Sequence, residues 1–261
     1  MNKFWDFKKE ENNAELFLYG DISDSTWFGD EVTPKNFKAE LDAMGDIEQL
    51  DIYINSGGGD VFAGESIYNM LARHKAHKTV HIDGLAASIA SIIAMAGDEI
   101  VMPENAMLMI HEAWTVAGGN KRELRKMADT LERIDSTLCG VYVARTGKDA
   151  EEIANMMESE TWMTAADAVE LGFADKVLEN KKIAASVSGK NIIMNGQQFD
   201  MARYMNAPEI APCNGAIEQP VEEIEQEITC ETTPDALNEQ REKFKETREK
   251  IINIYEKENA K

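Results

Sequence analysis

The sequence predicts an α/β fold, in which helices cover a parallel sheet, followed by an acidic C-terminal extension. Short apolar strands alternate with helical stretches across residues 15–180. This alternation is typical of parallel strands connected by helices. From residue 206 the chain becomes loop-like, and residues 218–235 contain seven acidic side chains and no basic one. That composition favours disorder.

Apolar spacing and end signals predict the individual elements. The predicted strands are 15–22, 50–55, 78–84, 98–102 and 106–111, and the predicted helices are 33–44, 62–74 and 120–147. Thr33 and Pro34 provide a cap and a first-turn residue for the first helix. The helix at 120–147 has apolar residues mostly three or four apart and ends at Gly147, so we predict one extended amphipathic helix.

Different signals mark the end of this region. Residues 162–179 predict a short helix stopped by Gly172 and then a closing strand. Residues 191–201 place Asn-Gly between two strand-like arms, which indicates a hairpin. We therefore divide the chain into a domain (1–180), a hairpin extension (181–205) and an acidic linker with a charged helical tail (206–261).

Composition limits the classes of function. The formal net charge of −21 argues against binding to nucleic acid or to an anionic membrane. No apolar run approaches the ~20 residues that span a bilayer, and the N-terminus lacks a signal-peptide segment, so we expect a cytoplasmic protein. Cys139, Cys213 and Cys230 are odd in number and lack metal-ligand spacing. We expect reduced cysteines, no metal and no cofactor.

The turn NSGGGDV (55–61) follows a predicted strand and precedes a helix. Its glycines leave backbone N–H groups free and let a carbonyl approach closely, so the turn could form an oxyanion hole or hold a phosphate. It does not match the phosphate-loop pattern, and Asp60 adds negative charge. A tight structural turn is the alternative.

Two serines lie in the apolar stretch DGLAASIASIIAMAGDEI (83–100). Ser88 falls at a strand-to-helix junction, where open α/β folds place their sites, and the following N–H of Ile89 is a helix-start donor. A helix cap is the alternative for Ser88. Ser91 lies nearly one turn further along and is predicted to be a small packing residue.

A serine nucleophile needs a base that can accept its proton. His111 ends the apolar strand AMLMI, where a side chain is held rigidly and remains reachable. It is the best candidate of the four histidines. The alternative is that His111 has no catalytic role and only has its hydrogen bonds satisfied at the edge of a loop.

Four ordered motifs together resemble the Clp protease proteolytic-subunit family. They read NSGGG (55–59), GLAASIA (84–90), MIH (109–111) and ESETWMTAADAVELGFAD (158–175). The resemblance covers about residues 15–180 and implies a serine peptidase with the Clp protease/crotonase-like fold of repeated ββα/βα units and a protruding handle helix.

The resemblance assigns a role to each matching position. Ser88 matches the nucleophile and His111 the general base. The backbone N–H groups at Gly59, with Gly58 beside it, and at Ile89 match the oxyanion donors. Polypeptides are the implied substrates.

Two positions in the motifs depart from the family. The third triad member, normally Asp, falls at Glu160, which has one more methylene and must fold back or approach from further away. Gly57 stands where the family usually has Pro, which loosens the turn. Glutamate serves in some hydrolase triads, so we expect Glu160 to orient His111.

The helix at 120–147 matches the handle that joins two rings back to back in this family, which implies self-assembly into rings. Met127, Leu131, Ile134 and Leu138 are predicted to be ring contacts or core residues. Only about fifteen residues precede the first predicted strand, fewer than ATPase-dependent members use at their axial entrance. This short N-terminus, ETW (160–162) and the acidic tail resemble the head-maturation (prohead) protease branch of phages and prophages, with capsid or scaffold proteins as partners.

Three alternatives remain open at the level of sequence. The first is a general Clp-type proteolytic subunit working with an ATPase unfoldase. The second is an acyl-CoA-processing enzyme of the related crotonase fold, although no basic cluster suited to its phosphates is visible. The third is a non-catalytic ring-forming assembly protein in which Glu160 marks a decayed triad.

Overall fold

An eight-stranded sheet forms the centre of the computed structural model, which describes residues 3–23, 33–179, 185–188, 191–194 and 197–208. All of these residues belong to one compact unit. The acidic linker and charged tail predicted from residue 206 lie, beyond residue 208, outside the described residues. Within the described ranges, no helix is both long and apolar enough to cross a bilayer.

The strands and helices have the following bounds. The strands of the main sheet are β1 (Trp5–Glu10), β2 (Asn13–Tyr19), β3 (Gln49–Ser56), β4 (His77–Ala87), β5 (Glu99–Pro103), β6 (Met107–Ile110), β7 (Thr161–Thr164) and β8 (Lys176–Leu178). The helices are α1 (Pro34–Ala43), α2 (Val61–Arg73), α3 (Ile89–Ala94), α4 (Lys121–Thr146), α5 (Ala150–Glu158) and α6 (Ala165–Glu170). A second, three-stranded sheet contains β9 (Ala185–Ser188), β10 (Asn191–Met194) and β11 (Gln197–Asp200).

The long strand β4 organises the main sheet. The strand order is β1-β2-β3-β4-β5-β8, and β2, β3, β4, β5 and β8 pair in parallel. The first part of β4 pairs with β5, whereas its last part pairs in parallel with β6, which then pairs antiparallel with β7. The strand therefore leaves the plane shared with β5 and carries its carboxyl end towards β6. The predicted parallel α/β architecture is confirmed.

Local sequence signals explain where the predicted helices begin and end. Thr33 caps α1 by accepting a hydrogen bond from the Asn36 N–H at 3.3 Å. A capping box of Asn120 and Glu123 begins α4, and Gly147 ends it with a φ of 70°. These residues meet the requirements of a helix N-terminus and of a left-handed C-terminal residue. The predicted helices at 33–44 and 120–147 are confirmed.

The helix α4 differs from the others in its exposure. Every residue from 121 to 130 is exposed, whereas Leu138, Cys139 and Tyr142 are buried. Of the four apolar residues predicted to be ring contacts or core, Leu138 is core, Ile134 packs partly against the core, Leu131 is partly exposed and Met127 is 39% exposed. This is the predicted protruding handle.

Three elements of the domain were not predicted from the sequence. Residues 162–164, predicted as the start of the short helix in 162–179, lie in β7 and pair antiparallel with β6. The helix begins only at Ala165, because a capping box of Thr164 and Asp167 starts it there. β1 (Trp5–Glu10) is an edge strand whose exposed charged residues obscure its alternation. α5 begins at the Asp149 cap and is only nine residues long. In the extension, β10 and β11 pair antiparallel with Met194 opposite Gln197, as the Asn-Gly signal predicts.

Candidate active site

Ser88 lies between the last residue of β4 and the first residue of α3. Its backbone is in a region that non-glycine residues rarely adopt, with φ 57° and ψ −131°. Its side chain makes no cap hydrogen bond to the helix. Instead, Ser88 Oγ lies 2.8 Å from His111 Nε2. Backbone strain of this kind costs about 1–3 kcal/mol and is concentrated at functional sites.

The pairing of β4 with β6 brings the histidine to this serine. Ala87 is the register partner of Met109, and the Ser88 N–H donates to the Met109 carbonyl at 3.0 Å. Both strands are parallel and end at the same edge of the sheet, so the residues that follow them converge there. His111 follows directly after β6 and is in place to accept the Ser88 proton.

His111 is largely buried, with 11% of its side chain exposed. Burial lowers the pKa of His111 below its usual range, the Glu160 carboxylate opposes this shift, and Arg203 adds to it. The lowered pKa keeps the imidazole neutral at neutral pH, as a proton acceptor requires.

Glu160 faces the other nitrogen of this imidazole. Its carboxylate Oε2 lies 4.0 Å from His111 Nδ1, and only 2% of its side chain is exposed. This separation is an ion-pair distance for a protonated histidine but is longer than a hydrogen bond. Ser88, His111 and Glu160 therefore lie together in the order expected of a triad, with the carboxylate at the looser end.

The carboxylate of Glu160 accepts three hydrogen bonds from groups other than His111. Oε1 accepts from the Asn206 N–H at 2.7 Å and from the Trp162 indole N–H at 3.1 Å. Oε2 accepts from the Met205 N–H at 2.9 Å. Charge-assisted hydrogen bonds of this kind compensate a carboxylate for losing water. Two of the three donors come from a segment outside the motifs.

The glycine turn lies directly against the nucleophile. A Cβ on Gly58 would come within 2.7 Å of Ser88 Cβ, and a Cβ on Gly59 would come within 2.0 Å of the Ile22 carbonyl oxygen. Gly58 and Gly59 also have φ values of 93° and 149°. Both positions therefore require glycine, because space and backbone conformation exclude a side chain.

The donors predicted for the oxyanion hole differ in their bonding. The Gly58 N–H donates to Ser56 Oγ at 3.1 Å, so it is used inside the turn. Among the described residues, the N–H groups of Gly59 and Ile89 have no acceptor. Gly58 thus serves close packing, and Gly59 and Ile89 remain as the donors that could bind an oxyanion.

Ser91 is fully buried, as predicted, but its role exceeds packing. Its Oγ donates to the Ser88 carbonyl at 2.6 Å and lies 2.7 Å from the hydroxyl of Tyr142. Tyr142 extends from the buried part of α4, and burial raises its pKa. The pair connects the handle helix to the backbone of the nucleophile.

The segment 199–207, which we call the strap, also reaches the site. Phe199, Met201 and Tyr204 are buried in a cluster with Leu85, Ala87 and Met109. The Tyr204 hydroxyl donates to the Gly57 carbonyl at 2.6 Å. Sequence reasoning did not find these contacts, because the hairpin signal at 191–201 says nothing about where the following residues dock.

A serine at a strained strand-to-helix junction, hydrogen-bonded to a neutral histidine that faces a buried carboxylate, is the arrangement of a serine hydrolase. Neighbouring backbone donors are the feature that such enzymes use to stabilise an oxyanion. No group of three or more metal-ligating side chains able to hold an ion occurs among the residues that the structure describes.

Comparison with known proteins identifies the kind of hydrolase. The Clp protease family matches residues 12–181. The ATP-dependent Clp protease proteolytic subunit of Ligilactobacillus salivarius is 33% identical over 145 residues, which are 54% of this chain and 73% of that protein. The protein of the same name from Deinococcus radiodurans is 30% identical over 145 residues, which are 54% of this chain and 71% of that protein. The one from Streptococcus sanguinis is 31% identical over 148 residues, which are 55% of this chain and 76% of that protein. The chain therefore belongs to the Clp protease family and is a serine-type peptidase.

Proposed function

We propose that the protein is a serine endopeptidase in which Ser88 is the nucleophile, His111 the general base and Glu160 the carboxylate that orients the histidine. The observation that carries this proposal is the 2.8 Å contact between Ser88 Oγ and His111 Nε2. A serine that only capped α3 would turn its hydroxyl towards the helix N–H groups, but it makes no such bond.

The reaction would follow from this geometry. Ser88 Oγ attacks the carbonyl carbon of a peptide bond while its proton passes to His111 Nε2. The Gly59 and Ile89 N–H groups stabilise the oxyanion of the tetrahedral intermediate. His111 then returns the proton to the leaving amine, and a water molecule, activated in the same way, releases the acyl group. No cofactor or metal takes part in these steps.

Self-assembly is part of the proposal. The handle helix exposes Leu124 (45%) and Met127 (39%) on its first half. Exposed apolar side chains on a projecting helix favour contact with a second copy. We expect rings of this chain, to be tested by light scattering, in which Leu124→Glu with Met127→Glu should reduce the particle mass.

Head maturation in a phage or prophage, with capsid or scaffold proteins as substrates inside assembling procapsids, is the biological setting that we propose. It is supported by the ETW sequence and by the acidic, charged tail. The competing setting is general proteolysis with an ATPase, which is favoured by the names of the similar curated proteins. Purified protein that cleaves capsid or scaffold protein without ATP would support head maturation, and cleavage only with an unfoldase and ATP would contradict it.

A fluorophosphonate probe tests the chemistry directly. Wild-type protein should be labelled at Ser88, and Ser88→Ala should abolish both labelling and peptide cleavage. Ser91→Ala is the matched control, since it removes a hydroxyl three residues away and should leave labelling in place. Labelling that survives Ser88→Ala, or cleavage that survives it, would contradict the assignment and would favour another nucleophile or a non-catalytic assembly role for this site.

A further inference from the structure

The two positions at which this chain departs from the Clp motifs both contact the strap. At position 57, where the family usually has Pro, a Cβ would lie 3.0 Å from the Tyr204 hydroxyl and 3.5 Å from a ring carbon of Phe199. At position 160, where the family usually has Asp, the carboxylate accepts the N–H groups of Met205 and Asn206. One segment outside the motifs therefore contacts both departing positions.

The longer side chain at position 160 suits its two partners. Glutamate extends the carboxylate by one carbon–carbon bond, about 1.5 Å, beyond aspartate. Glu160 thereby reaches the strap amides while lying 4.0 Å from His111 Nδ1. Its backbone has a φ of 49°, which is unusual for a non-glycine residue, so the carboxylate is held in place by its surroundings.

The strap is bound at several points and by buried contacts. Asn206 Nδ2 donates to the Ser159 carbonyl at 2.8 Å, next to Glu160. Arg203 pairs with Asp21 at 3.1 Å on the surface. Tyr204 is 8% exposed, and burial raises its pKa to about 12, so its hydroxyl stays protonated and donates to Gly57. Through these contacts the strap packs against the domain as a part of its folded structure.

From these contacts we infer that the strap is a positioning element of the active site. Its Met205 and Asn206 N–H groups hold the Glu160 carboxylate opposite His111, and its Tyr204 hydroxyl holds the Gly57 carbonyl and with it the oxyanion turn. The inference rests on the proposed function of the Ser88–His111 pair. It means that the working active site of this peptidase includes residues beyond the part of the chain that matches its family.

One substitution isolates the amide of Met205. Met205→Pro removes the N–H that donates to Glu160, and the preceding residue, Tyr204, already has the extended backbone that proline favours (φ −110°, ψ 144°). Met205→Ala retains the N–H and removes a side chain that is 83% exposed. The comparison between these two full-length variants measures the contribution of the hydrogen bond.

We expect kcat on a fluorogenic peptide to fall about 10- to 100-fold from the alanine to the proline variant, with KM changed less than about threefold. The acid limb of the kcat/KM profile should move to lower pH, because a displaced carboxylate no longer raises the pKa of His111, whereas Arg203, which Asp21 holds in place, still lowers it. In a Glu160→Gln background, Met205→Pro should have little further effect, since both changes act on one interaction.

Two results would overturn the inference. Equal kcat and equal pH profiles in the two variants would show that the strap positions nothing. Higher activity in the proline variant would show that the strap obstructs the site. If Met205→Pro fails to fold, Tyr204→Phe provides the second test, with an expected loss of about three- to tenfold in kcat and a lower melting temperature, because the buried Gly57 carbonyl loses its donor. An unchanged kcat in Tyr204→Phe, assayed well below its melting temperature, would then overturn the inference. Activity that persists in Ser88→Ala would instead refute the proposed function, which keeps the two failures distinguishable.

Discussion

The two sides of His111 are built in different ways. On the Nε2 side, Ser88 is placed by the register of β4 with β6, inside the core sheet, and its Oγ is 2.8 Å from the imidazole. On the Nδ1 side, Glu160 is placed by a strained residue and by amides of the strap, and its carboxylate is 4.0 Å away. The position of Ser88 is therefore set by the main sheet, whereas the position of Glu160 also depends on the strap, which follows the domain along the chain.

This difference predicts a difference in robustness. Sheet register is strongly specified because a slip of one residue would turn the buried face of a strand outwards. The strap is held by a small buried cluster, a few hydrogen bonds and an exposed ion pair, which is worth only about 0–1 kcal/mol. Changes on the serine side should therefore abolish the chemistry, whereas changes on the carboxylate side should reduce it.

The largest loss is expected when His111 is replaced by alanine. Without the base, Ser88 keeps its hydroxyl proton, and kcat should fall by about 10⁴- to 10⁶-fold. His81→Ala is the control, because His81 lies within β4, stacked on Tyr53, and does not touch the site. Peptidase assays on both variants check the prediction, and a similar loss in both would show that His111 has no special role.

Gly59→Ala should have the next largest effect. The added Cβ would lie 2.0 Å from the Ile22 carbonyl oxygen, on a backbone with a φ of 149°. The turn must shift, and loss of an aligned oxyanion donor reduces kcat by about 10²- to 10³-fold. Gly118→Ala is the matched control, since nothing lies within 4 Å of its Cβ. Normal activity in Gly59→Ala would remove the turn from the oxyanion hole.

The positions of Ser88 and His111, on the Nε2 side of the imidazole, could largely be predicted from the sequence. The alternation of strands and helices places the residues after β4 and β6 at one edge, and this is where Ser88 and His111 lie. The cap at Thr33 and the stop at Gly147 are local signals that act over a few residues, so they can be read directly. The roles of these residues came from the resemblance of four ordered motifs, which no single motif would have supported.

The arrangement of Glu160, on the Nδ1 side of the imidazole, could be predicted only in part. The motif points to Glu160, but the donors that hold it lie about 45 residues further along the chain. Docking of Tyr204 on Gly57 depends on shape and on long-range packing, which leave no periodic signal in the sequence. The hydrogen bonds of Ser91 could not be predicted for the same reason. A serine in an apolar stretch is predicted to be a packing residue, and its partner Tyr142 is known only from the structure.

Glu160→Gln should weaken the reaction without abolishing it. The carboxylate is longer than a hydrogen bond from His111, so we expect kcat to fall about 10- to 100-fold, less than where the acid bonds directly to the histidine. The Glu160 charge raises the pKa of His111 against the effect of burial and of Arg203. Its loss should lower that pKa further, so the neutral, active form persists to lower pH.

The measurement is the pH profile of kcat/KM for wild type and Glu160→Gln. Activity rises with pH as His111 loses its proton, and the midpoint should lie below the usual histidine value of about 6.5 in both. It should be lower in the variant. A midpoint that is the same in the variant as in wild type would mean that the carboxylate does not act on this histidine, and a midpoint at higher pH would contradict the direction of its effect.

Ser91→Ala should have the smallest effect on the chemistry and a measurable effect on stability. It removes the hydroxyl that joins the Ser88 carbonyl to the Tyr142 hydroxyl, both in the interior. An unsatisfied buried polar group costs about 1–3 kcal/mol, so the free energy of unfolding should fall by that amount. Adding Tyr142→Phe removes the orphaned hydroxyl and should recover part of the loss. Denaturant titration of the two variants checks this, while kcat should stay within a few-fold of wild type because the hydroxyl of Ser88 is untouched.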